Sequence, residues 1–102
     1  MSEYTVVING SSLVLDKKTN IEVLRAYINK GYSIGCFTIK NGSELLRCFK
    51  ALAGDSEHVG GETNTYKSIL KSLEFANSKG AFTLDDSENL NTVFEYTLKQ
   101  LD

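Results

Sequence analysis

Asn9-Gly10 stands between two short runs of β-branched and aliphatic residues, Tyr4-Thr-Val-Val-Ile8 and Ser11-Ser-Leu-Val-Leu15. Both residues of that dipeptide accept the positive φ angles a two-residue hairpin turn demands, so this segment is expected to be an antiparallel hairpin. Counting outward from the turn pairs Val6 with Leu13 and Tyr4 with Leu15. The alternation of a strand then gathers Tyr4, Val6, Ile8, Leu13 and Leu15 on one face, which should meet the core.

Beyond the hairpin the apolar period changes from two to 3.6. Thr19 and Glu22 have the spacing of a capping box, predicting a helix from about Asn20 to Lys30 with Ile21, Leu24 and Ile28 on one side, Tyr27 flanking them, and Gly31 ending it. Ser33 to Lys40 reads as a strand with apolar residues on both faces, Ile34/Cys36 and Phe37/Ile39, hence a central one. Ser43 is placed to cap a second helix reaching Ala53, with Leu45, Cys48, Phe49 and Leu52 inward and Arg47 and Lys50 opposite. A polar stretch, 55–64, leads to a third helix over Thr65 to Lys79 that turns Tyr66, Ile69, Leu70, Leu73 and Ala76 inward. Ala81-Phe-Thr-Leu84 reads as a short strand. Asp85, Asp86 and Glu88 then place carboxylates where a helix N-terminus favours negative charge, and a last helix runs to about Leu101 with Leu90, Val93, Phe94, Leu98 and Leu101 as its stripe.

The predicted order is therefore ββαβααβα. It implies an α+β fold, a small mixed or antiparallel sheet of about four strands opened by the hairpin, with about four helices packed mainly on one side. No repeat and no linker stands out, so residues 1–102 read as a single α+β domain. At 102 residues with 41% hydrophobic and 24% charged side chains, such a chain buries an ordinary core without disulfides or metal. No apolar run approaches the length of a membrane span, and Met1-Ser-Glu-Tyr4 does not open like a signal peptide, which predicts a cytoplasmic location. Cys36 and Cys48 lack the spacing of a zinc or redox pair and are expected to be free thiols.

Chemistry-bearing constellations are sparse. The one histidine, His58, lies in the polar stretch near Asp55, Glu57 and Glu62; with Cys48 it forms the only thinkable nucleophile and base, but Cys48 should face the core. Those same acids match neither a calcium loop nor a zinc motif, so no metal and no cofactor is expected. Gly60-Gly61 precedes a helix but follows no strand and lacks the lysine of a phosphate-binding loop.

One residue does stand apart. The inward stripe of the third helix turns Phe75 to the opposite face, between Lys71 and Lys79 at i−4 and i+4. An aromatic side chain among cations suits a protein-binding hot spot or a stacking platform for nucleic acid. Charge is also divided along the chain: residues 1–53 carry +3 and residues 54–102 carry −5, within a net charge of −2. The functional expectation is a small cytoplasmic protein-interaction module, an inhibitor or regulator of the immunity type or of a phage-encoded host-interaction kind, docking through Lys71, Phe75 and Lys79 or through Asp85, Asp86 and Glu88. The alternative is a nucleic-acid binder using basic residues of the second and third helices, against which the acidic balance weighs. An enzyme dependent on His58 is the third reading.

Overall fold

The computed structural model describes residues 4–54 and 61–101. Two strands, β1 (Thr5–Ile8) and β2 (Ser11–Val14), precede four helices: α1 (Lys17–Ser33), α2 (Ile39–Leu52), α3 (Glu62–Ser78) and α4 (Leu84–Leu101). The architecture is a small four-helix bundle carrying one antiparallel hairpin. The expected four-stranded α+β sheet is not formed, because neither 33–40 nor 81–84 is a strand.

The hairpin follows the turn chemistry. Asn9 and Gly10 both adopt positive φ, and Val6 faces Leu13 in the register expected. Val6 and Leu15 are buried and Tyr4 and Ile8 pack at the core's edge, while Leu13 stays exposed. Among the described residues only the β1 side is covered. Its outer edge is met by the Asn89 side chain of α4, which accepts from the Val7 N–H at 3.0 Å and donates to the Val7 carbonyl at 2.7 Å. That amide takes the place a third strand would need, and it also donates to the Tyr27 hydroxyl at 3.0 Å.

Helix caps explain the two misread strands. Short apolar runs do not distinguish strand from helix by period alone. At 36–41 the deciding feature is Thr38, whose hydroxyl accepts from the Asn41 N–H at 3.1 Å while Asn41 answers to the Thr38 N–H. At 81–86 it is Thr83, bonded to the Asp86 N–H at 3.1 Å and answered by the Asp86 carboxylate at 3.0 Å. Both are capping boxes, and both open a helix where a strand was expected. The α2 cap is thus Thr38 and not Ser43. Likewise α1 begins a turn earlier than expected, on Asp16, which accepts from the Thr19 N–H at 2.7 Å.

These two connections are copies of one device. Gly35-Cys-Phe-Thr-Ile39 joins α1 to α2 and Gly80-Ala-Phe-Thr-Leu84 joins α3 to α4, with φ of 87° and 81° at the glycines. The offset of 45 residues extends through the helices: Leu24 and Ile69, Ile28 and Leu73, Gly31 and Ala76, Leu45 and Leu90 are corresponding pairs, all buried. The bundle is therefore two similar helical hairpins, an internal repeat where none was expected, because its signal lies in the turn motif and not in overall identity.

Corresponding residues of α1 and α3 meet one another, which relates the halves by an approximate two-fold axis between those helices. A Cβ placed on Gly31 would stand 3.1 Å from the Ala76 Cβ, so this crossing is close because both residues are small. At the other end, where both helices begin, Lys17 pairs with its own counterpart Glu62 at 3.6 Å. Lys30 pairs with Asp86, and Asn20 donates to Thr97 at 2.9 Å, so α1 and α4 run antiparallel. Tyr32 lies against Gly42, and the Arg25 guanidinium over the Phe49 ring, so α1 and α2 do too. The core is filled by Leu24, Ile69, Leu73, Val6 and Val93, with Asn20 and Thr97 as buried polar neighbours.

Candidate functional site

The antiparallel order brings the C-termini of α1 and α3 and the N-termini of α2 and α4 to one end of the bundle. That end carries exposed large apolar residues: Tyr32, Ile34, Ile39, Phe75 and Leu84. Ile39 is 82% exposed and Leu84 90%. Each is the first helical residue after a threonine cap. Because side chains in a helix lean toward its N-terminus, a first-turn residue has no earlier turn to lie on and stands out in water.

Phe75 is placed as the helical period of α3 expects. It is 48% exposed, with one face against Phe37 at a centroid distance of 6.4 Å and the Lys79 ammonium 5.4 Å from its centroid. A lysine at that distance favours the negative face of the ring and holds it outward. Lys71 lies one turn earlier, also exposed.

The acidic trio divides. Asp85 and Glu88 are exposed on the first turns of α4, where they suit its macrodipole. Asp86 is committed internally, as the partner of both the Thr83 N–H and Lys30. Burial pushes its carboxyl up, but the bonds from Lys30 and Thr83 together outweigh that and hold it below the usual carboxylate range. A group depressed in the folded state stabilises above its unfolded pKa, here 3.8, and that contribution disappears as pH falls through the lower folded value. Asp86→Asn, which restores the residue type found at the corresponding Asn41, should lower stability at pH 7 by about 0.5–1 kcal/mol. Its acid-induced loss between about pH 5 and pH 2 should then be smaller than the parent's, as read by urea melts across that range.

Of the residues a catalytic reading would use, Cys48 and Glu62 are described. The Cys48 thiol is pushed up, mainly by burial and then by Glu44, which keeps it protonated at neutral pH. His58, Asp55, Glu57 and Gly60 lie outside the described residues. Glu62 starts α3 and is engaged with Lys17. Among the described residues no three histidine, cysteine, aspartate or glutamate side chains come together as metal ligands, and no helix is long and apolar enough to cross a membrane.

No family model, curated protein or solved structure matches the chain. What the inward stripes could not indicate were Ile39 and Leu84, whose exposure follows from their place directly after a cap. The Phe-Thr-aliphatic pattern written twice in the sequence was the available signal.

Proposed function

We propose that this chain is a small protein-interaction module, a cytoplasmic inhibitor or regulator that works by seating the apolar end of its bundle on a macromolecular partner. The observation that carries this reading is the gathering at one end of Ile39, Leu84, Phe75, Tyr32 and Ile34, large side chains that a helix pair of this kind does not need to expose. Large exposed apolar side chains gathered at one end of a bundle are a common mark of a binding surface. Phe75 is the anchor: a rigid aromatic, half-seated on Phe37 and flanked by Lys79, loses little entropy on docking.

Photocrosslinking residues placed at Ile39, Phe75 or Leu84 should capture one stoichiometric protein from source cells, whereas the same probe at Ser12 on β2 should not. Phe75→Ala should weaken that complex at least about tenfold in sedimentation, the loss typical of an aromatic anchor. Equal capture from Ser12, or no complex in any growth condition, would remove the proposal. If nucleic acid co-purified instead, with binding that fell steeply with salt, the basic residues of the neighbouring α2 and α3 would become the surface of interest.

A further inference from the structure

The two halves of the bundle allow a comparison that a single copy would not. Each helical hairpin has a groove between its helices. Between α1 and α2 it measures about 390 Å³ and is floored by Ile28, Leu45 and Phe49. Between α3 and α4 it measures about 250 Å³ and is floored by the corresponding Leu73, Leu90 and Phe94. These shared floors are what the fold requires.

The rims differ. Tyr32 and Leu46 border the first groove, where the second has Asn77 and Asn91. Since the second half packs with asparagine at both places, the apolar character of Tyr32 and Leu46 is not demanded by folding. Yet these residues are 44% and 40% exposed. Gly42 contributes too: a Cβ there would stand 2.6 Å from the Tyr32 ring, so the absence of one lets the ring lie on the backbone of α2 and keeps the groove open above it. Arg25 borders the same groove with its guanidinium 5.9 Å from the Phe49 centroid, and its counterpart in the second half is the buried Leu70. Among the described residues no carboxylate pairs with Arg25.

We propose that the groove between α1 and α2 receives an acidic amphipathic helix of a partner protein, with apolar side chains set between Tyr32 and Leu46 and a carboxylate on Arg25. Ile39 and Leu46 lie two helical turns apart on α2, a rise of about 10 Å, which matches apolar side chains at i and i+7 of a helix laid alongside. The unpaired guanidinium gives the occupant its charge, since a planar fork over an aromatic ring is suited to bidentate contact with a carboxylate. This inference rests on the reading of the chain as a protein-binding module and adds to it the groove and the chemistry of what fills it.

A displayed library of helical peptides, panned on the full chain, tests it. Binders should carry apolar residues at i, i+3 or i+4, and i+7 with an enriched Asp or Glu. Their anisotropy-measured affinity should fall at least about tenfold for Leu46→Asn and for Tyr32→Asn, while circular dichroism and the melting midpoint stay near the parent's. Arg25→Glu should weaken the acidic peptides and favour versions whose acid is replaced by lysine. Val14→Asn, on the exposed face of β2 away from the groove, should leave peptide binding unchanged. Failure to select any binder, selection without acidic enrichment, or indifference to Leu46→Asn would overturn the groove assignment. Crosslinking through Phe75 could still succeed in that case, so loss of the groove and loss of the module reading are separate results.

Discussion

Leu24→Ala should lower the unfolding free energy by about 3–4 kcal/mol, and Ile69→Ala by a similar amount. Both side chains are fully enclosed, and they are counterparts across the approximate two-fold. Leu24 belongs to α1, which packs on every other helix, so truncation leaves a void that no single element can close by moving. Tyr32→Asn and Leu46→Asn, at positions where the other half carries asparagine, should cost less than about 1 kcal/mol. Urea unfolding of the four variants decides the matter. If the two rim variants proved as damaging as the two core variants, the second hairpin would be no guide to what the first one needs.

The second large effect concerns the buried polar contact between α1 and α4. Asn20 donates to the Thr97 hydroxyl at 2.9 Å, and its amide oxygen is enclosed with no hydrogen-bond partner. Thr97→Val removes the one bond the amide has and should destabilise by about 2–3 kcal/mol, since a whole carboxamide is then left unsatisfied away from water. Adding Asn20→Leu should recover that loss and exceed the parent by about 1 kcal/mol, because the orphaned oxygen goes as well. Position 97 has an apolar precedent in its counterpart, Leu52. A double variant no more stable than Thr97→Val alone would show that the amide is satisfied by some other arrangement in solution. Thermal and urea melts of the two single variants and the pair give the coupling directly.

The parts of this fold legible in the residues were those fixed by local chemistry. Asn9-Gly10 set the hairpin and its register, and all five side chains expected inward on α3, from Tyr66 to Ala76, are buried. The outward turn of Phe75 followed from the same period. The strand readings at 33–40 and 81–84 failed because alternation over so few residues is compatible with either period, and the arbiter was a threonine followed three residues later by Asn41 or Asp86. Lys99 lies over the Tyr4 ring at 5.9 Å, a contact between distant parts of the chain that the pattern of α4 alone does not indicate. As for the site, Lys71, Phe75 and Lys79 share an exposed face, whereas Asp86 is drawn into a cap and an ion pair that no helical wheel of α4 alone could reveal. The groove was invisible from the chain because its rim comes from two helices at once.

The like-with-like meeting of α1 and α3 has one more consequence. Were the two hairpins separate, identical molecules, a symmetric pair would set position 17 against its own duplicate, lysine on lysine. Covalent linkage lifts that restriction, and the molecule uses the freedom: Lys17 faces Glu62, and on the outer helices Lys40 and Lys50 have Asp85 and Glu95 as counterparts. A shape that nearly repeats on half a revolution thus carries opposite sign on its two sides, so a charged surface approaching it would distinguish two poses that steric fit alone would leave nearly equivalent.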